Sequence, residues 1–294
     1  MKNPKTITQK FIQLALLLAL LPPLLSLTAC TNSPQTQPQP NPNPKTTNIH
    51  VFIAASLQNT MNQLAEIYRI DHPDITITYQ ADSSGTLMTQ IREGFSCDIF
   101  FSAAQKQMNQ LEADGLLVKG TRADVVQNQL VVITGKGSGT KVTGLSDLGK
   151  AASLAIAGGS VPVGSYTRQA LASLGILEKT KDPSEVTTRQ LSDALGGVQI
   201  SEQDNVSKVL LAVAEGSCEV GTVYRTDIYG YEDQVELLET VSYDLTGTVA
   251  YPVARVVNEE ADEIQAQAAE EFLTFLLSEK AQKVFAQYGY SPQR

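Results

Sequence analysis

Beyond residue 48 the chain alternates short β-branched, apolar runs with stretches in which apolar residues recur every three or four positions. The runs at 51–55, 75–80, 98–102, 130–134, 154–157, 221–225 and 249–257 predict strands. Helical spacing covers 57–70, 86–93, 104–114, 165–174, 206–215 and 260–287. That alternation predicts an α/β fold with largely parallel sheets, and no internal repeat of fixed period interrupts it.

Several junctions between these elements carry polar residues. Val51-Phe52-Ile53-Ala54-Ala55-Ser56 delivers a serine to a helix whose apolar face is Leu57, Met61, Leu64, Ala65 and Tyr68. Tyr79-Gln80-Ala81-Asp82-Ser83-Ser84 does the same before Leu87 and Ile91. Ser56 and Ser84 are expected to be N-caps, and capping alone explains either junction taken singly. Two such helix mouths facing one space would hold an anion, because unpaired N–H groups and the positive dipole end coincide there. Val161-Pro162-Val163-Gly164 enters a third helix, and Asn205 is placed to cap a fourth whose face is Val206, Val209, Leu210 and Val213. Both also fit ordinary connections of an α/β fold. The run Gly221-Thr222-Val223-Tyr224 brings a phenol toward a sheet edge of the kind where ligands of open α/β sheets gather.

The N-terminus has a signal-peptide layout: Lys2, Lys5 and Lys10, then apolar Leu14 to Leu21, then Leu27-Thr28-Ala29-Cys30. The last four residues resemble the lipobox of bacterial lipoproteins, which implies a signal peptide over 1–29 and lipidation of Cys30. A transmembrane helix is the alternative, but the run is short and interrupted by Gln13 and Pro22-Pro23. From Thr31 to Asn48 there is no hydrophobic residue, so 30–48 forms a solvated tether rather than part of a core. The full chain carries net charge −9, and losing the three lysines of 1–29, a segment without acids, leaves −12. Nucleic acid and acidic lipid surfaces are therefore poor partners. Cys97 and Cys218 either pair or remain two separate buried thiols.

Enzyme signatures are missing. His50 and His72 are the only histidines and are expected at the surface, and neither G-x-S-x-G nor H-E-x-x-H occurs. Gly135-Lys136-Gly137-Ser138-Gly139-Thr140 lacks phosphate-loop spacing and is expected to be a mobile hairpin or loop. An enzyme on a two-lobe scaffold and an adhesive surface lipoprotein remain the readings from other classes.

Seven segments together resemble the molybdate-binding (ModA) family of bacterial ABC importers: Ala54-Ala55-Ser56-Leu57-Gln58-Asn59, Ser83-Ser84-Gly85-Thr86-Leu87, Asp98-Ile99-Phe100-Phe101-Ser102-Ala103, Val161-Pro162-Val163-Gly164, Asn205-Val206, Val220-Gly221-Thr222-Val223-Tyr224 and Tyr251-Pro252-Val253. They span roughly 49–290. The resemblance implies a two-lobe periplasmic-binding-protein type II fold with a ligand cleft, lobe one being 49–127 plus 251–294 and lobe two 128–250. Its last stretch, with Ile264, Phe272, Leu273, Leu276, Val284 and Phe285, would pack on lobe one. Carried over by position, the oxyanion ligands are the hydroxyls of Ser56, Ser84 and Tyr224 and the backbone amides of Val163 and Val206, with Ser83 as the neighbour of uncertain register. Asp82 is expected to point away, and Arg168 and Arg225 to be solvated or to steer the anion. The implied ligand is molybdate or tungstate, with another tetrahedral oxyanion such as sulfate or phosphate as the alternative. No cofactor, catalytic residue or direct metal-ion ligand is implied. The implied partners are an ABC permease with its ATPase and, through the lipid, the outer face of the cytoplasmic membrane. A monomer is expected.

Overall fold

The computed structural model describes residues 46–293, so the expected signal segment, Cys30 and nearly all of the tether lie outside the described residues. In chain order, the first part comprises β1 (Thr47–Ala54), a 3-10 turn (Ala55–Leu57), α1 (Gln58–Asp71), β2 (Ile75–Asp82), α2 (Ser84–Arg92), β3 (Ile99–Phe101), α3 (Gln105–Ala113) and β4 (Ala123–Asn128). A second part follows with β5 (Leu130–Gly135), β6 (Ser153–Ala157), α4 (Pro162–Ser173), α5 (Thr188–Ala194), β7 (Gln199–Gln203), α6 (Val206–Ala214), β8 (Val220–Tyr224), β9 (Val235–Thr240) and α7 (Tyr243–Thr246). The chain then returns through β10 (Val249–Arg255), α8 (Glu263–Leu276), α9 (Glu279–Gln287) and β11 (Ser291–Pro292).

These strands form two sheets, ordered β11-β4-β10-β3-β1-β2 and β7-β6-β8-β5-β9. The chain crosses between them at Asn128–Leu130 and again between Thr240 and Val249. The sheets are mixed rather than largely parallel. β1 runs parallel to β2 and β3, and β6 to β7 and β8, but β10 and β5 are antiparallel to both of their neighbours. A strand entered directly from the other sheet needs no crossover helix, so nothing obliges it to run parallel.

Both faces of β1 are covered. Ile49, Val51 and Ile53 pack with Leu57, Met61 and Leu64 of the first helical segment and Phe272 and Phe285 near the C-terminus. Phe52 and Phe100 pack on the opposite side with Leu87, Ile91, Met108 and Leu111. This two-sided burial explains why the strands are nearly continuous apolar runs. Of the C-terminal residues expected to pack there, Phe272, Leu273, Leu276, Val284 and Phe285 are buried, whereas Ile264 is 60% exposed at the first turn of α8.

Three further departures have local causes. Thr47 and Asn48, given to the tether by composition, enter β1 because their backbones pair with Ile75 and Thr76, which requires no apolar side chain. The stretch 260–287 is two helices, since Ser278 caps a new one by accepting from the Ala281 N–H. β7 and β9 are edge strands, mostly exposed or half-buried, whose sequences mix polar with apolar residues and so lack the continuous apolar run of their neighbours.

Candidate functional site

The carboxyl ends of β1, β2, β6, β7 and β8 all point into the space between the sheets. There the entries to four helical segments meet around a small cavity of about 10 Å³. Ala54, Ala55, Ser56, Asp82, Ser83, Ser84 and Ala103 line it from the first lobe, and Val161, Pro162, Val163, Val206 and Tyr224 from the second. Ser56, Ser84, Val163, Val206 and Tyr224, drawn from five separate stretches of sequence, are thus brought together, with Ser83 among them.

Each helix entry leaves its first N–H groups without intrahelical partners. In α4, Pro162 at the first helical position surrenders no useful donor, and Val163 supplies the next N–H. Gly164 beside it is required by packing, because a Cβ would lie 2.2 Å from the Gly158 carbonyl oxygen. In α6, Asn205 is the expected N-cap and accepts from the Lys208 N–H, so Val206 is the first helical residue.

The serines divide the work differently from the expectation. Ser83, not Ser84, is the N-cap of α2: its Oγ accepts from the Thr86 N–H at 3.1 Å and lies 2.8 Å from Thr86 Oγ1. Ser84 is the first helical residue, and its Oγ accepts from the Ala103 N–H at 3.0 Å, so its own hydrogen remains available to the cavity. Ser56 is not a side-chain cap either. It sits inside the 3-10 turn, with Oγ 2.9 Å from the Tyr251 hydroxyl. The sequence signal, hydroxyl residue before apolar helix, does not distinguish the cap from its neighbour when two serines adjoin.

Tyr224 is the most telling member. It is 1% exposed, and no group among the described residues meets its hydroxyl at hydrogen-bond geometry; the Tyr251 hydroxyl is near enough only for a weak interaction, while its ring packs edge-on against that of Tyr224. Desolvation drives its pKa well above the ordinary tyrosine value, with smaller contributions from nearby Tyr166, Asp227 and Tyr290 and partial relief from Tyr251. It is therefore a neutral donor at physiological pH. A buried, unpartnered donor costs about 1–3 kcal/mol unless something accepts from it.

No Lys, Arg or His is among the residues lining the cavity. Arg168 is neither solvated nor among the residues lining the cavity. It is 1% exposed, and its guanidinium donates to the carbonyls of Ala157, Gly164 and Val186, which fixes the entry of α4 from behind. Arg225 is exposed and lies elsewhere. Asp82, expected to point away, lines the cavity instead. Its Oδ1 accepts from the Ser83 N–H at 2.7 Å and from Asn205 Nδ2 at 3.1 Å, linking the two lobes. Lys106 makes a second link, with Nζ 2.5 Å from Asp182 and 2.6 Å from Ser184 Oγ. Gly85 makes a third, since a Cβ there would stand 2.6 Å from the Ser160 carbonyl oxygen. Cys97 and Cys218 are free and buried, in different hydrophobic clusters.

A donor-rich cleft without a basic side chain, between two α/β lobes, suits a carrier, and comparison with known proteins identifies which kind. Residues 49–291 match the model of the bacterial extracellular solute-binding proteins. The chain belongs to that family. It is 30% identical to the molybdate-binding protein ModA of Haemophilus influenzae, over 83% of this chain and 89% of that protein. It is also 30% identical to YvgL of Bacillus subtilis, a candidate ABC transporter substrate-binding lipoprotein, over 85% of this chain and 88% of that one. Among solved structures, the substrate-binding domain of a candidate molybdenum ABC transporter from Clostridium difficile superposes with a TM-score of 0.60 at 31% identity, covering 84% of this chain and 99% of that one. The sulfate-binding protein SubI of Mycobacterium tuberculosis shares the fold alone, with a TM-score of 0.65 at 15% identity over 84% and 87% of the two chains. The fold is periplasmic-binding-protein type II, and the protein is an extracellular solute-binding protein rather than an enzyme.

Proposed function

We propose that this protein captures molybdate, and tungstate with it, in the cavity at the helix entries and delivers it to an ABC permease. Lobe one (49–127 plus 251–294) closes on lobe two (128–250) by a hinge motion. The ligands are the hydroxyls of Ser56, Ser84 and Tyr224 and the N–H groups of Val163 and Val206. The observation that carries the reading is the Tyr224 hydroxyl, a buried donor with no well-aligned protein acceptor, at the cavity where four helix entries meet. A tetrahedral dianion supplies the missing acceptor, and charge-assisted hydrogen bonds to neutral donors hold it without a cation that would resist release.

Molybdate is favoured over smaller oxyanions by the molybdate-binding relatives. Sulfate and phosphate are smaller, so in a cavity shaped for molybdate they would leave donors over-long or unpaired. Calorimetric titration of the domain lacking residues 1–30 is expected to give one site for molybdate and tungstate, with similar affinity, and far weaker binding of sulfate and phosphate. Ligand at a hundredfold excess over Kd should also raise stability by about 2.7 kcal/mol in a thermal melt. Sulfate or phosphate binding as tightly as molybdate overturns the assignment. The lipobox-like Leu27-Thr28-Ala29-Cys30 and the polar stretch after it support a lipid anchor at Cys30 on the outer face of the cytoplasmic membrane.

A further inference from the structure

Tyr251, the first residue of the Tyr251-Pro252-Val253 segment, is fully buried beside the cavity but does not line it. Its hydroxyl lies 2.9 Å from Ser56 Oγ and accepts from Asn128 Nδ2 at 3.1 Å. Asn128 ends β4 at the point where the chain crosses between sheets. Its amide has one possible orientation, because Oδ1 accepts from the Gln129 N–H at 2.9 Å. The NH₂ group then faces two oxygens, Thr226 Oγ1 at 2.8 Å and the Tyr251 hydroxyl, and both of its hydrogens are committed.

This accounting sets the direction of the next bond. The Tyr251 oxygen accepts from Asn128, so its single hydrogen must go elsewhere; of the two hydroxyls nearby, Ser56 Oγ at 2.9 Å meets hydrogen-bond geometry and Tyr224 does not. If Ser56 donated instead, the Tyr251 hydrogen would be a buried donor without a well-placed acceptor, which is unfavourable. Burial also drives the Tyr251 pKa well above the ordinary value, so the phenol keeps that hydrogen. With its lone pair occupied by Tyr251, Ser56 has its own hydrogen left for the cavity.

We propose that Asn128 and Tyr251 are positioning residues that form a one-way hydrogen-bond relay, Asn128 to Tyr251 to Ser56, which turns the Ser56 hydroxyl into an obligate donor toward the bound oxyanion. The inference rests on the oxyanion reading of the cavity. It gives the crossover residue a role in the ligand site that Asn128 performs without touching the ligand. Each link polarises the next, so the Ser56 hydroxyl is a stronger donor than an isolated serine.

The test is a pair of mutant cycles read by molybdate titration. Tyr251→Phe is measured with Ser56 present and in the Ser56→Ala background. Affinity should fall about tenfold with Ser56 and change by less than about twofold with alanine there, because the tyrosine acts through the serine. Asn128→Asp is read in the same two backgrounds. It keeps the acceptor for Gln129 but turns the donor into an acceptor, which reverses the relay. Repulsion from the new charge is common to both backgrounds and cancels in the cycle. Equal losses in both backgrounds, or no loss, overturn the relay while leaving the ligand assignment intact. A wild-type protein that binds no tetrahedral oxyanion overturns both.

Discussion

The three hydroxyls facing the cavity differ in how their hydrogens are freed, and the consequences of removing them follow from that. Ser84 accepts from the Ala103 N–H, Ser56 accepts from Tyr251 in the relay proposed above, and Tyr224 has no well-aligned partner among the described residues. Ser56→Ala, Ser84→Ala and Tyr224→Phe should each weaken oxyanion binding by about 1.5–3 kcal/mol, or roughly 10–150-fold, in calorimetry. Ser83→Ala should behave differently. Its hydroxyl caps α2, so the loss should be about 1 kcal/mol of folding stability, seen as a lower melting temperature, with a much smaller change in affinity.

At the level of elements, the helix entries do double duty as donors and as contact points between lobes. Gly85 is the second residue of α2, and its Cβ-less surface lets the Ser160 carbonyl approach from the other lobe. Its backbone is helical, so alanine suits α2 itself, and the proposed hinge opening would relieve the clash with Ser160. Gly85→Ala should therefore leave the melting temperature of the ligand-free protein unchanged or slightly raised, while weakening molybdate binding by about tenfold or more. Small-angle scattering should show the variant failing to compact on ligand addition. β10 shows a related economy: its register against β4 slips between Tyr251 and Pro252, which accommodates a proline inside a central strand.

For the whole molecule, two conditions separate binding from its context. Tyr224, Tyr251 and Tyr290 form an edge-to-face cluster where the lobes join, and burial raises the pKa of all three. In the unfolded chain they ionise near pH 10, as tyrosines ordinarily do. Below that pH both states are protonated and the cluster's contribution is intact. Above it the unfolded state loses protons that the folded state keeps, so stability should fall as pH rises past about 10. Melting temperatures from pH 8 to 11 test this, and the decline should shrink in Tyr251→Phe. The tether sets the second condition. With the proposed lipid anchor at Cys30, Cys30→Ser should release the protein from the membrane in cell fractionation and leave oxyanion affinity unchanged, because Cys30 is not among the residues that line the cavity. Uptake at scarce molybdate should fall as the effective concentration at the permease drops.

The α/β alternation, most element positions and the helix entries were legible in the sequence, because apolar periodicity and capping residues are local properties. So was the family, carried by seven short segments in order. Pairing directions were not legible, since β5 and β10 take their orientation from the crossings between sheets rather than from their own residues. Neither was the register of the two adjacent serines: Thr86 and Ala103, one of them nineteen residues away from Ser84, decide which hydroxyl caps and which is free. Arg168 and Asp82 exchanged expected places for the same reason. A guanidinium can be buried when three carbonyls from separate segments accept from it, and a carboxylate can line an anion cavity when an amide from the opposite lobe holds it. Those partners are assembled only by tertiary structure, because the donors and acceptors that satisfy a buried polar group are brought to it by the fold and not by its neighbours along the chain.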